Sequence, residues 1–143
     1  MADETTPERD YSLFGDDHIA TYRETNGEVG HIWNGAPCLI LTTTRKNGEI
    51  REVPLIYGRH GDDILIVPSK GGAPDAPYWY KDLVRTPEVT VQIKDEVFPA
   101  VARTASHREK APLWAIMTEI WPDYDEYQSK TVREIPVVIL ERI

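Results

Sequence analysis

The sequence predicts an α+β domain built on a mostly antiparallel β-barrel with short flanking helices. Short apolar stretches recur at regular spacing between turn residues, which favours a closed sheet over an open one. The Asn47-Gly48 pair between two apolar stretches is a strong hairpin signal. The chain has 143 residues, the size of one ordinary domain. We therefore expect one barrel domain at 18–143, preceded by an acidic and mobile tail at 1–17.

Six strands are predicted from apolar and β-branched residues that lie between turns. Pro54 cannot donate a backbone hydrogen bond, so we expect the second strand to lie near an edge or a bulge. Every residue from Ile64 to Val67 is apolar, which places the third strand at the centre of the sheet. The predicted strands span 39–43, 53–57, 64–67, 89–93, 97–105 and 136–140.

Short helices are predicted between and beside the strands. Asp75 is placed to cap one of them, with Pro77 near its first turn. Ser106 and Glu109 have the spacing of a capping box at the start of another. Pro112 would lose an interior hydrogen bond there, so we expect the first turn of that helix to be separate. The predicted helices span 18–24, 75–86, 106–121 and 123–131.

The charge and cysteine content exclude several classes of protein. The chain carries 16 basic and 24 acidic residues, a net charge of −8, which argues against a nucleic-acid partner. The single cysteine, Cys38, cannot form an internal disulfide and precedes an apolar stretch, so we expect a buried thiol. No signal segment or membrane-spanning apolar stretch is recognisable, so we expect a cytoplasmic protein.

Three cations flank a tight turn in this acidic chain. Arg45, Lys46 and Arg51 lie on either side of Asn47-Gly48, between two predicted strands. A guanidinium offers a forked set of donors and an ammonium offers a point charge, and both suit phosphate or carboxylate. The turn therefore suggests an anionic ligand, although a solvated surface hairpin is the more ordinary explanation when the turn is taken alone.

A second basic motif, Ser69-Lys70-Gly71-Gly72, follows the central strand directly. Two glycines let a ligand approach the backbone, and their exposed N–H groups can form an anion-binding nest. Lys70 adds a positive charge. An ordinary flexible loop remains the alternative for this motif on its own.

Aromatic residues are dense in two of the predicted helices. Tyr78, Trp79 and Tyr80 are consecutive, and such a cluster can form the floor beneath a planar cofactor. Tyr124 and Tyr127 are three residues apart, so they share one helix face and can present two phenols to a pocket. Core packing is the alternative for both groups.

Several familiar kinds of site do not occur in the sequence. The Gly-Lys-Ser/Thr order of a Walker motif and the Gly-x-Gly-x-x-Gly of a dinucleotide site are missing. Neither a Gly-x-Ser-x-Gly elbow nor a Cys–His signature is found. We expect no metal site, because the histidines are scattered without ligand spacing. They are His18, His31, His60 and His107.

Taken in order, these motifs resemble the deazaflavin (coenzyme F420)-dependent nitroreductase family, also known as the F420H2-dependent quinone reductases of actinobacteria. The resemblance extends from Tyr22 to the C-terminus, and the ordered series is more specific than any one of its members. The motifs that carry it are Tyr22-Arg23-Glu24-Thr25-Asn26-Gly27, Gly35-Ala36-Pro37, Leu39–Thr44 with the basic turn, Arg51–Tyr57, Ser69–Gly72, Pro77–Leu83, Tyr124–Gln128 and Arg133–Val137.

The resemblance implies a split β-barrel related to flavin-binding reductases, and a cofactor, coenzyme F420, that carries a phosphate and a polyglutamate tail. It implies that basic residues hold the phosphate and tail, namely Arg45, Lys46, Asn47, Arg51 and Lys70. It implies further cofactor contacts, mainly to the ring system, at Val53, Pro54, Leu55, Ile56, Val67, Pro68, Ser69, Gly71, Gly72, Tyr78, Trp79, Tyr80, Lys81 and Asp82.

By the same resemblance, the protein is expected to transfer a hydride from reduced F420 to an electron-poor small molecule. Ser69, Tyr124 and Tyr127 are the candidates for positioning the acceptor or relaying a proton, and Trp121 joins the two tyrosines in lining the acceptor. Trp121 stands where a phenol is familiar in nitroimidazole-reducing members. Quinones and activated alkenes, such as enones and coumarin lactones, are therefore expected rather than nitro compounds.

Two other functions remain open from the sequence. One is an FMN-dependent reductase on the same barrel, and the other is a non-catalytic carrier of the deazaflavin. Beyond the small-molecule acceptor, the sequence leaves open a homodimer, and also peripheral contact with a membrane if the acceptor is a lipid quinone.

Overall fold

The computed structural model describes residues 9–143, so residues 1–8 of the predicted tail lie outside the described residues. Within the described part, eight strands form one curled antiparallel sheet and four α-helices pack around it. The helices are α1 Gly15–Glu24, α2 Tyr78–Arg85, α3 His107–Ile120 and α4 Asp123–Ser129. The strands are β1 Ile32–Trp33, β2 Ala36–Thr44, β3 Ile50–Ile56, β4 Gly58–His60, β5 Asp63–Ile66, β6 Glu88–Ile93, β7 Glu96–Thr104 and β8 Val138–Arg142.

The sheet closes through one bent stretch of chain. Its strand order is β1-β2-β6-β7-β8-β5-β4, and β3 pairs with β2. Only Tyr57 separates β3 from β4, so the same stretch pairs with β2 at one end and with β5 at the other. This joins the two ends of the strand order and confirms the predicted antiparallel split barrel. β3 pairs with β2 alone, which agrees with the edge position expected from Pro54.

Two apolar cores lie on opposite faces of β5 and β8. Ile64 and Ile66 point into the barrel interior, whereas Leu65 between them packs in an outer core against α3. Side chains alternate across a strand, so a strand buried on both faces is apolar at every position. This explains the unbroken apolar stretch of β5, which is paired on both sides but lies between β8 and β4, next to the end of the strand order rather than at its centre. Each fully buried side chain of this kind contributes about 1.5–3 kcal/mol.

The start of α3 forms as the sequence predicts. Ser106 Oγ accepts a hydrogen bond from the Glu109 N–H at 3.2 Å, and Glu109 Oε1 accepts one from the Ser106 N–H at 2.9 Å. The expectation that Pro112 would separate the first turn is wrong, because α3 is continuous from His107 to Ile120. Pro112 and Arg108, whose carbonyl would have accepted the missing bond, are both exposed, so the proline lies outside the apolar core and the helix continues through it.

Two further expectations are wrong in detail. Asp75 does not cap α2, since the helix begins at Tyr78 and Pro77 occupies the N-cap position. Pro77 is itself extended with ψ of 155°, and Ala76 before it is disfavoured in the helical conformation, so the helix does not reach back to Asp75. The stretch before Pro37, for which the sequence predicts no strand, contains the short strand β1, which turns back at Asn34-Gly35 with φ values of 50° and 80°.

The start of α1 differs from the boundary set for the tail. The helix begins at Gly15 rather than at His18, so its first turn uses residues that were assigned to the tail. Among residues 9–143, no helix has the length and apolarity that crossing a membrane requires.

Candidate functional site

A cavity of about 410 Å³ opens between the basic turn and α2. The turn is a tight hairpin, because the Arg45 N–H donates to the Glu49 carbonyl at 2.7 Å and Gly48 has φ of 90°. The predicted hairpin is therefore confirmed, and it delivers its cations to one cavity. The lining residues are Arg45, Lys46, Asn47 and Arg51 from the turn, and Tyr78, Lys81, Asp82 and Arg85 from α2.

A buried carboxylate organises the cations of this cavity. Asp82 is 4% exposed, and one of its oxygens accepts hydrogen bonds from Arg51 Nε at 2.7 Å and Thr43 Oγ1 at 2.9 Å. Its other oxygen accepts from Arg85 Nη2 at 3.2 Å. Burial by itself would raise the pKa of Asp82, but the hydrogen bonds from Arg51, Thr43 and Arg85 outweigh it and lower the pKa below 3.8. Asp82 is therefore ionised and holds both guanidinium groups in place.

Tyr78 stands at the centre of the positive charge. Its ring is 64% exposed, and three cations lie near its centroid: Arg51 at 5.2 Å, Lys81 at 5.3 Å and Lys70 at 5.8 Å. The contact with Lys70 brings the second basic motif to the same place as the basic turn. In a chain of net charge −8, a cluster of this kind is suited to a polyanion.

The Ser69–Gly72 loop links this cation cluster to the aromatic residues of α4. The backbone of Ser69 is in the right-handed helical conformation, and that of Lys70 is in the left-handed conformation with φ of 47°. Two successive residues in these conformations can direct their backbone N–H groups toward one anion. A Cβ added to Gly71 would meet nothing within 4 Å, so that side of the loop is open to a ligand. A Cβ added to Gly72 would lie 2.6 Å from the Tyr127 carbonyl oxygen, so only glycine permits this packing.

Arg133 fixes this loop from behind. Its Nε donates to the Ala73 carbonyl at 2.9 Å, and its Nη2 donates to the carbonyls of Ser69 at 2.8 Å and Pro68 at 3.3 Å. One guanidinium therefore binds both ends of the loop. The sequence placed Arg133 in a motif but gave no signal of this role, since backbone carbonyls leave no trace in the residue pattern.

Trp121, Tyr124 and Tyr127 form an aromatic cluster beside the loop. The Trp121 Nε1–H donates to the Tyr127 hydroxyl at 3.3 Å, and the two tyrosine rings lie 6.1 Å apart. Burial raises the pKa of Tyr124, and burial likewise raises the pKa of Tyr127 although the Trp121 hydrogen bond opposes it. Both phenols therefore keep their protons at neutral pH and can serve as hydrogen-bond or proton donors.

The segment that precedes α1 packs on this cluster. The Arg9 guanidinium lies 3.7 Å above the Trp121 ring and forms an ion pair with Asp123 at 2.8 Å. The Trp33 Nε1–H donates to the Leu13 carbonyl at 2.7 Å, and Trp33 stacks on Trp121 at 5.6 Å. Sequence reasoning assigned this segment to the tail, and its only signal was a lone arginine among six acids.

Other predicted cofactor residues lie in different surroundings. Trp79 is 6% exposed and belongs to the core of the barrel interior, against which Val53 and Leu55 of β3 also pack. The Tyr80 hydroxyl bonds Thr104 Oγ1 at 2.8 Å and lines a second cavity of about 360 Å³ on another face of α2. Arg85 was missed, although its spacing of three or four residues from Lys81 and Asp82 places it on their face of the helix. Ile56 borders the outer core, and Val67 lies within it.

Comparison with known proteins gives consistent matches. Residues 16–142 match the sequence profile of the family described as F420H(2)-dependent quinone reductase. A Mycobacterium tuberculosis protein named F420H(2)-dependent quinone reductase is 42% identical over 130 residues, which cover 87% of each chain. A solved F420-H2 dependent reductase (FDR-A) is 41% identical with a TM-score of 0.69 and covers 73% of this chain and 94% of its own. A structure described as a domain-swapped dimer is 37% identical with a TM-score of 0.71, covering 86% and 95%.

Proposed function

The chain belongs to the F420H(2)-dependent quinone reductase family, and on that premise we propose that it transfers a hydride from reduced coenzyme F420 to a quinone or to an activated alkene such as an enone or a coumarin lactone. The observation that carries the proposal is the organised cation cavity in a protein of net charge −8. An acidic protein repels free anions, so a local cluster of fixed cations indicates a dedicated polyanionic ligand.

The residues of the site fit this cofactor. The cations of the cavity, Arg45, Lys46, Arg51, Lys81 and Arg85, would hold the polyglutamate tail. Lys70 and the N–H groups of the loop at Gly71, whose open side admits a ligand, would hold the phosphate. Pro54, the stretch from Val67 to Ser69, Tyr78 and Asp82 would contact the ring system. When bound in its reduced form, the cofactor supplies a hydride.

The aromatic cluster supports the acceptor end of the reaction. Trp121, Tyr124 and Tyr127 are the residues that would line the acceptor, and Gly72 permits the backbone of Tyr127 to approach the loop closely. Because both phenols are protonated, Tyr127 is suited to give a proton to the acceptor oxygen, and Tyr124 and Ser69 are suited to position the acceptor. The chemistry requires no covalent nucleophile. We include a homodimer in the proposal, because one similar structure is a domain-swapped dimer.

Replacing Arg51 with alanine is expected to weaken binding of oxidised F420 about tenfold or more, because a charge-assisted contact to the tail is lost. Salt screens such contacts, so the variant should also respond less steeply to ionic strength than the wild type. Quenching of tryptophan fluorescence over a salt series measures both effects. Arg108→Ala, which removes the same charge from an exposed position on α3, serves as the matched control.

The outcomes of the same measurements separate the alternatives. Lack of F420 binding by the wild type at low salt would contradict the proposal, and a purified protein that carries bound flavin would favour an FMN reductase. Binding of F420 without oxidation of its reduced form by menadione or by an enone would favour a carrier.

Replacing Tyr127 with phenylalanine is expected to lower kcat for menadione by about 10- to 100-fold while leaving F420 affinity unchanged, because general acid catalysis contributes about 10²- to 10⁴-fold and water replaces part of it. Steady-state kinetics and F420 titration give the two values. If turnover of both a quinone and an enone equals that of the wild type, the proton comes from solvent and Tyr127 has no relay role.

A further inference from the structure

The Arg9 side chain is largely covered beside the aromatic cluster proposed to line the acceptor, although it belongs to the segment before α1. It is 12% exposed, its guanidinium covers the Trp121 ring at 3.7 Å, and Nη2 is paired with Asp123 at 2.8 Å. Trp121 in turn donates to the Tyr127 hydroxyl. An acceptor that approaches the covered side of Trp121 therefore meets a guanidinium before it meets the indole.

One hydrogen-bond donor of this guanidinium has no partner. Among the buried side-chain nitrogen and oxygen atoms of residues 9–143, Arg9 Nε is the one without a hydrogen-bond partner. A buried donor without a partner costs about 1–3 kcal/mol, and more when the group is charged. In natural structures such a group is usually explained by strain, by a catalytic role, or by an ordered water or ion that completes it. The position of Nε, within the cluster that lines the acceptor, indicates that the missing partner is supplied by the acceptor.

We propose that Arg9 is a catalytic residue whose Nε–H donates to the carbonyl oxygen of the acceptor, an inference that rests on the proposed function. A conjugated carbonyl compound that takes up a hydride gains two electrons and one proton at an electron-poor atom, while the reduced cofactor loses the same hydride. The electron pair of the acceptor's π bond moves onto the carbonyl oxygen, which then accepts a proton. A fixed cationic donor stabilises the negative charge on that oxygen before the proton arrives.

Arg9 and Tyr127 then have different roles in the reduction of the acceptor. A guanidinium remains charged throughout the working pH range, so it stabilises the oxyanion but does not give up a proton. Tyr127, whose phenol is protonated, supplies the proton that completes the reduction. Arg9 therefore selects acceptors whose oxygen becomes anionic, which are quinones, enones and unsaturated lactones.

The test uses the full chain with Arg9→Ala, Arg9→Lys and the matched control Arg108→Ala. Arg9→Lys retains a charge that can pair with Asp123 but lacks the Nε donor and the planar fork. Affinity for menadione is measured on cofactor-free protein by tryptophan quenching, and affinity for oxidised F420 is measured separately. Turnover with reduced F420 is compared for menadione, for cyclohexenone and for methylene blue, a cationic acceptor without a carbonyl.

Arg9→Ala is expected to lower kcat/KM for menadione and cyclohexenone by about 10- to 100-fold. The value for methylene blue and the affinity for F420 should stay within twofold of the wild type. Arg9→Lys should recover only part of the loss, and added methylguanidinium should raise menadione turnover of Arg9→Ala and not that of the wild type.

Two results would overturn the inference. An equal loss for all three acceptors would show that Arg9 only supports Trp121, and unchanged menadione binding and turnover in both variants would show that water completes Nε. A wild type that binds F420 but reduces none of the acceptors would refute the proposed function. In that case, equal menadione affinity of the wild type and Arg9→Ala would refute the Arg9 contact as well, whereas weaker binding by the variant would support it.

Discussion

Replacing Asp82 with alanine is expected to destabilise the fold by about 3 kcal/mol and to remove most of the affinity for F420. The carboxylate is buried and accepts hydrogen bonds from Thr43, Arg51 and Arg85. Removing one partner of a buried ion pair leaves the other uncompensated, which costs about 3–5 kcal/mol. We expect the lower end of that range, because Arg51 and Arg85 retain 25% and 38% exposure and water solvates them in part. The melting temperature should fall by roughly 6–12 °C.

The loss of affinity follows from geometry rather than from charge. Asp82→Ala makes the cavity more positive, so a simple count of charges predicts tighter binding of a polyanion. We expect weaker binding, because Arg51 and Arg85 lose the carboxylate that fixes their orientation. Exposed Asp62, replaced by alanine, gives the same change of net charge without disturbing the cavity. F420 affinity of Asp82→Ala equal to or above that of the Asp62 control would contradict this account.

The pH dependence of stability provides a second check on Asp82. Its folded-state pKa lies below the ordinary value of 3.8, so its contribution is complete above that value and is lost as the pH falls through the folded pKa. The difference in unfolding free energy between wild type and Asp82→Asn should therefore be constant near neutral pH and shrink below about pH 4. Urea unfolding at several pH values measures it, and a difference that persists unchanged at pH 2 would contradict the assignment.

The barrel was predictable because its signals are local. Alternating and continuous apolar stretches, the Asn47-Gly48 turn and the capping box at Ser106 each depend on a few neighbouring residues, and the structure confirms them. The strands β1 and β4 were missed because two or three residues carry too little pattern to be recognised. The break predicted at Pro112 was wrong because the cost of the lost hydrogen bond depends on whether that position is exposed. Exposure is determined by the tertiary structure and not by the local sequence.

The charged residues of the candidate site could be predicted from the sequence, but the contacts that hold them in place could not. The basic turn and Lys70 could be identified from residue types, and the structure brings them together around Tyr78. Asp82 was expected beside the cofactor, yet its hold on Arg51 and Arg85 depends on which helix face meets the turn. The contact of Arg9 with Trp121 could not be predicted, because no local sequence pattern relates an acidic N-terminal segment to a tryptophan more than a hundred residues later.

Replacing Arg133 with alanine is expected to destabilise the protein by about 3 kcal/mol and to free the Ser69–Gly72 loop. The side chain donates to the carbonyls of Pro68, Ser69 and Ala73, and hydrogen bonds to a charged group contribute about 1.5–3 kcal/mol each, less when they share one donor group. Amide hydrogen exchange should become faster from Lys70 to Ala73, where the loop lies open to solvent on one side. Arg133→Lys should recover little, because an ammonium cannot replace a fork that reaches both ends of the loop.

Measuring F420 affinity of Arg133→Ala distinguishes an indirect role, in which Arg133 positions the loop, from direct charge contact with the cofactor. F420 affinity should fall in Arg133→Ala because the loop must be ordered again on binding, but its dependence on salt should keep the wild-type slope. Arg51→Ala should instead flatten that slope, because Arg51 is proposed to contact the tail directly. Arg108→Ala controls for the lost charge in both comparisons. The contrary result is an Arg133→Ala variant with wild-type exchange rates in the loop and a flattened salt response. It would show that Arg133 binds the anion directly and would contradict its role in holding the Ser69–Gly72 loop in place.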